Sequence, residues 1–183
     1  MWYDGGLLFS DIPGDTVYRW TEGGSVEVFL RPSQKSNGLA LDAEGRLLLA
    51  QHQAQRLARL GDDGVEVSVA DTYDGDTFNS PNDLAVHPDG SIYFTDPTWG
   101  LEGRPSALGF TGLYRLGPDG TVSLLADDLH QPNGVAFSPD LATLYVTTSD
   151  ERTVVAYDLA DGAVSNVRVF ARLTGGMARD AAD

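Results

Sequence analysis

The chain has 183 residues, 42 % of them hydrophobic, with 21 glycines, no cysteine and a formal net charge of −15. That length suffices to bury a core, roughly 70 % of the unfolded surface. The acidic balance argues against nucleic acid or an anionic membrane as partner. The missing cysteines exclude disulfides, thiolate metal sites and thiol nucleophiles. No apolar run reaches membrane-span length, and Met1–Gly6 lacks the basic and apolar regions of a signal peptide. A cytoplasmic location is therefore the default expectation, although a longer parent protein could carry a leader of its own.

Taken in order, Leu7–Ile12, Thr16–Trp20 and Ser25–Leu30 read as short strands separated by Pro-Gly-Asp and Gly-Gly turns. They are read as the second to fourth strands of a unit whose first strand is missing. A second unit has strands near Gly38–Leu41, Leu47–Ala50, Arg56–Leu60 and Val65–Val69, and Ala70–Phe78 reads as a polar link. A third runs through Leu84–Val86, a Pro-Asp-Gly turn, Ser91–Thr95, an insertion from Trp99 to Phe110, then Gly112–Leu116 and Val122–Ala126. The fourth runs from Pro132 through Leu144–Thr147, Val154–Asp158 and Val167–Ala171. Leu173–Asp183 is a link that stops where another first strand would begin. No 3.6-residue periodicity is sustained long enough for a helix of any length.

One phrase repeats. Ser36-Asn37-Gly38-Leu39, Pro81-Asn82-Asp83-Leu84 and Pro132-Asn133-Gly134-Val135 each lead into a short apolar strand, a turn and a second strand. The three Asn lie 45 and 51 residues apart. A period of that length carried by short strands and Gly-bearing turns marks β-propeller blades. The expected fold is all-β, a single partial propeller domain over residues 1–183 with about four blades and both ends truncated. An open arc of that kind leaves apolar faces exposed, so self-association through blade edges is a further expectation.

Repeated Asn at one register would converge on the central channel and offer carbonyl oxygens, which suit Ca²⁺, Mg²⁺ or Mn²⁺. Asp183, 50 residues beyond Asn133, would add a carboxylate. From spacing alone, however, ordinary turn chemistry explains these Asn at least as well. His52, His87 and His130 show no ligand spacing and read as surface or rim residues. The tryptophans read as core or rim packing. No nucleophile elbow or phosphate-cradling loop is present.

Ser36-Asn37-Gly38-Leu39, Asn79-Ser80-Pro81-Asn82-Asp83 with Tyr93-Phe94-Thr95-Asp96-Pro97, and Pro132–Asp140 with Leu144-Tyr145-Val146 together resemble the gluconolactonase/regucalcin (senescence marker protein) family. The resemblance covers essentially the whole chain. It implies a six-bladed propeller with one divalent cation in the channel, Ca²⁺ first and Zn²⁺, Mg²⁺ or Mn²⁺ as alternatives, and hydrolysis of a sugar lactone. It further implies that Asn133 and Asp183 are metal ligands and that Asp183 is also the catalytic proton donor and acceptor. Asn82 and Ser80 would contact substrate, and no separate organic cofactor is expected. Asn37 and Asp96 fall near the channel without an assigned role. The family's upstream Glu ligand has no counterpart before Trp2, so the chain is expected to carry part of a site and to have impaired activity. Two alternatives stand beside this reading: a non-enzymatic calcium-binding propeller, and a lactonase or esterase for another small ester.

Overall fold

The structure, a computed structural model, describes residues 1–174. Four antiparallel four-stranded sheets follow one another along the chain, each in simple sequential order. The first holds β1 (Trp2–Tyr3), β2 (Gly6–Asp11), β3 (Thr16–Trp20) and β4 (Val26–Leu30), and the second β5 (Ser36–Leu41), β6 (Leu47–Gln51), β7 (Arg56–Leu60) and β8 (Glu66–Ala70). A hairpin of β9 (Thr72–Tyr73) and β10 (Asp76–Thr77) leads to the third sheet, β11 (Leu84–Val86), β12 (Ile92–Asp96), β13 (Gly112–Leu116) and β14 (Val122–Ala126). The fourth comprises β15 (Pro132–Phe137), β16 (Thr143–Thr148), β17 (Thr153–Ala160) and β18 (Ala163–Arg172). These are four blades of an incomplete propeller. A 3₁₀ turn, Trp99–Leu101, lies in the insertion between β12 and β13.

Two expectations need correction, and one cause accounts for both. The first blade does not lack its first strand: Trp2 pairs with Leu7 and Tyr3 with Gly6. Ala70–Phe78 is not a plain link but contains the β9–β10 hairpin. Each hairpin closes on Asp-Gly with both residues at positive φ, Asp4 (44°) with Gly5 (75°) and Asp74 (51°) with Gly75 (89°). That is the turn whose twist matches flanking strands. With only two residues on each side, neither hairpin shows any alternation to read.

Packing explains the blade order. Strand β6 is buried on both faces: Leu47 and Leu49 join Leu8 and Val17 of the first blade, while Leu48 and Ala50 join Leu84, Ile92 and Phe94 of the third. Strand β12 does the same, turning Tyr93 toward Leu144, Val146 and Val155 of the fourth. The outer blades have one such face each. In β2, Leu8 is 0 % exposed but its neighbours Leu7 and Phe9 are 38 % and 39 % exposed. In β18, Val167, Val169 and Phe170 are exposed.

The blades are also stapled by hydrogen bonds at the repeated Asn. The backbone carbonyl of Asn37 accepts from Ser10 Oγ at 2.8 Å, that of Asn82 from Gly38 N–H at 2.8 Å, and that of Asn133 from Thr95 Oγ at 2.5 Å. Each donor belongs to the preceding blade. Asp83 adds a fourth link, its Oδ2 accepting from Val135 N–H at 3.1 Å. In β5 and β15 the ladder shifts register across the Asn-Gly pair. That irregularity frees the backbone there to bond sideways to a neighbouring blade instead of along its own sheet.

Candidate functional site

Asn37, Asn82 and Asn133 line one pocket of about 400 Å³, together with Ile12, Pro13, Lys35, His52, Trp99, Gly100 and Glu102. All four blades and the 99–110 insertion thus meet in one place. Asn82 is 2 % exposed, whereas Asn37 and Asn133 are half-buried. Asn133 Nδ2 lies 3.4 Å from Ser149 Oγ. The Nδ2 of Asn82 lies 3.3 Å from Nε2 of His52, and its Oδ1 is buried with no hydrogen-bond partner among the described residues.

The segment leading into Asn82 is held by a buried carboxylate. Asp96 Oδ2 accepts from Asn79 N–H at 2.9 Å and from Asn79 Nδ2 at 3.0 Å, and its Oδ1 accepts from Ser80 N–H at 2.7 Å. Burial pushes the Asp96 carboxyl up to about 7, against the pull of those N–H donors toward the charged form. Asp96, which had no role on sequence grounds, anchors the loop that carries Asn82. Ser80 is fully buried. Its Oγ donates to the Pro97 carbonyl at 2.5 Å and accepts from Gly100 N–H at 3.0 Å. It is absent from the pocket lining and couples the Asn82 loop to the 3₁₀ turn. Asp183 lies outside the described residues.

The mouth is closed on one side by the insertion. Lys35 Nζ pairs with Glu102 at 2.5 Å, and this bond holds the Glu102 carboxyl below its usual range. Arg104 donates to the carbonyls of His52, Gln53, Leu101 and Gly100 and to Gln55 Oε1. The insertion is therefore pinned to the second blade.

His52 is the residue that sequence reasoning misplaced. It was read as surface or rim, yet it is only 5 % exposed, because Gly100 packs directly on its ring. A Cβ at Gly100 would stand 2.6 Å from His52 Cβ and 2.7 Å from His52 Cγ. Burial drives its pKa down to about 4, so the ring is neutral at pH 7. A signal was present: Gln51-His52 ends the second strand of its blade as Asp96-Pro97 ends that of the next.

Among the described residues no group of three or more His, Asp or Glu could hold a metal ion. The neutral oxygens that the pocket offers a cation are the amides of Asn37 and Asn133, while its carboxylate, Glu102, is paired with Lys35. Amide oxygen fits a hard divalent cation, but with Glu102 held by Lys35 the carboxylate charge such sites use would have to come from outside this lining.

The chain matches the family model described as the SMP-30/gluconolactonase/LRE-like region over residues 1–182. It is 34 % identical over 186 residues to a gluconolactonase of Zymomonas mobilis, an alignment covering 91 % of this chain and 52 % of that protein. A solved gluconolactonase structure from Xanthomonas campestris superposes with a TM-score of 0.88 at 40 % identity, covering 93 % of this chain and 60 % of that one. The calcium-binding protein regucalcin of Agrobacterium tumefaciens shares the fold, with a TM-score of 0.72 at 22 % identity over 92 % of this chain and 57 % of that one. The chain spans about half the length of the curated relative from Zymomonas. It belongs to the SMP-30/gluconolactonase/LRE-like family.

Proposed function

We propose that the chain carries part of the site of a metal-dependent hydrolase acting on a sugar lactone. The observation that carries this reading is the convergence of Asn37, Asn82 and Asn133 on one pocket in a member of a gluconolactonase-like family. A bound divalent cation, Ca²⁺ first among the candidates, would act as a Lewis acid on the lactone carbonyl and lower the pKa of water. Asn133 and Asp183 are the residues proposed to hold it.

The chain's own residues then have separate tasks. Asn82 meets the hydroxyls of the sugar ring and fixes its orientation. Asp183 takes the proton from the attacking water as its oxygen bonds to the carbonyl carbon. It returns that proton to the ring oxygen as the ester C–O bond breaks, leaving the open-chain acid. Ser80, assigned to substrate by its motif, has its hydroxyl committed to Pro97 and Gly100. Its contribution to substrate is therefore proposed to run through the placement of the Asn82 loop.

The test is pH-stat turnover of glucono-1,5-lactone with and without chelator, on the 183-residue chain and on an extended protein that supplies further blades. The extended protein is expected to show turnover that chelator abolishes and that Asp183→Ala removes. The chain alone is expected to show weak or no turnover, and robust metal-dependent turnover by it would overturn that part. Calcium binding without hydrolysis of any δ- or γ-lactone in the extended protein would favour a non-enzymatic calcium-binding propeller instead.

A further inference from the structure

A carboxamide has two ends of nearly the same shape and opposite hydrogen-bonding character, so a buried Asn is useful in recognition only if something decides which end faces the ligand. At Asn82 the neighbour that can decide is His52. Nδ2 has only hydrogens to offer, so at 3.3 Å the imidazole Nε2 must accept, and the neutral ring then carries its proton on Nδ1. The opposite end of the amide, Oδ1, is left as a buried acceptor with no donor among the described residues, in a side chain that is 2 % exposed and lines the pocket. Buried acceptors are nearly always satisfied, so this oxygen points to a ligand that donates.

His52 itself has little freedom. Its backbone N–H donates to the Lys35 carbonyl at 3.4 Å, its carbonyl accepts from Arg104, and Gly100 packs on Cβ and Cγ. A ring fixed on those sides can impose an orientation on a neighbouring amide.

We propose that His52 is a positioning residue: its Nε2 holds the NH₂ end of Asn82, so that Asn82 Oδ1 is presented to the pocket as an acceptor selective for a ligand hydroxyl. This deepens the lactone reading, on which the choice of a polyhydroxylated ring as ligand rests. It adds a discrimination rule: the group that meets Asn82 must donate a hydrogen bond, and an analogue with that hydroxyl O-methylated must lose affinity.

The decisive experiment has an arm that does not depend on turnover. Long-range ¹H–¹⁵N correlation of the imidazole in the intact chain at pH 7.5 is expected to show His52 protonated on Nδ1 with Nε2 bare. A proton on Nε2 overturns the proposal. In the second arm, 1,5-anhydro-D-glucitol, a ring polyol that cannot be hydrolysed, is titrated into the chain and its variants. We expect His52→Phe to weaken binding about ten-fold. His52→Gln, whose amide oxygen can accept the same bond, should recover most of that loss, and His52→Phe should add nothing in an Asn82→Ala background. An equal loss from His52→Phe with and without Asn82 overturns the proposal, because it would mark the ring as packing alone. A wild-type chain that does not bind the polyol overturns the ligand half of the proposal, while the sugar reading of the site is decided separately by turnover in the extended protein. The tautomer still decides the His52–Asn82 pairing, so the two failures are separable.

Discussion

Gly100→Ala tests the packing on which the site depends. Gly100 is not held at positive φ, so alanine meets no backbone strain there; the issue is space. The new Cβ would stand 2.6 Å from Cβ of both His52 and Ser80 and 2.7 Å from His52 Cγ. These are buried atoms close to the backbone, with no flexible end to swing aside. Ordinary contact begins near 3.4 Å, so the turn and the second blade must separate by most of an ångström. Overpacking of this kind costs about 1–3 kcal/mol. It also pulls on the 3.0 Å bond from Gly100 N–H to Ser80 Oγ. For a chain of this size, about 2 kcal/mol lowers the melting temperature by roughly 4–8 °C. Gly103→Ala is the control, because Gly103 sits at φ +87° with nothing within 4 Å of a new Cβ. It carries the left-handed penalty, about 1–2 kcal/mol, without any displacement of His52. Calorimetry should therefore find both variants destabilised, while the His52 ring resonances move only in Gly100→Ala. A Gly100→Ala variant with wild-type melting and unmoved His52 resonances would refute the reasoning.

Three further outcomes follow from the structure. Asp83→Ala should destabilise by about 1–3 kcal/mol in denaturant titration, since Val135 N–H loses its acceptor, and Asp83→Asn should recover much of this through its amide oxygen. His52, with a pKa lowered from 6.5 to about 4 by burial, contributes stability that is complete above pH 6.5 and lost as pH falls toward 4, on the order of 3 kcal/mol in all. Asp96, raised to about 7, acts in the opposite sense, its share being lost as pH rises toward 7, so the His52 effect is to be read as wild type minus His52→Gln at pH 7.5 and 4.5. The exposed apolar side chains Leu7, Phe9, Val26 and Val28 on the first blade and Val167, Val169 and Phe170 on the fourth predict oligomers in light scattering and binding of an apolar dye. A dye-free monomer would contradict that.

How much of this was legible in the sequence depended on whether an element had a period. Strands of five residues rich in apolar side chains, such as Arg56–Leu60 and Gly112–Leu116, stand where their composition and the flanking turns put them. The strands at Trp2–Tyr3 and Thr72–Tyr73 carry no pattern of their own; only the Asp-Gly between the paired residues could have announced them. The polar knot around Asp96 was invisible for a different reason. Its partners Asn79 and Ser80 are 17 and 16 residues away, and strand pairing alone does not say which polar side chains turn inward. His52 was missed because a lone histidine has no spacing to interpret. Its meaning comes from a glycine 48 residues later that lets the chain close over it.

The repeated Asn were legible, but their reason was not, and the structure divides it in two. The backbone carbonyl of each accepts a bond from the preceding blade, and the donors are chemically unalike: a serine hydroxyl, a glycine amide and a threonine hydroxyl. Any residue type provides a carbonyl, so stapling the blades explains why a fixed register recurs and not why asparagine fills it. The Asn-Gly bulge explains part of the choice, since it occurs in the second and fourth blades. In the third blade Asn82 precedes Asp83 rather than glycine, and asparagine still stands at the register. What the three positions share beyond the staple is a side chain that lines one pocket. That remainder, unexplained by blade geometry, is what the lactone reading and the His52–Asn82 pairing account for.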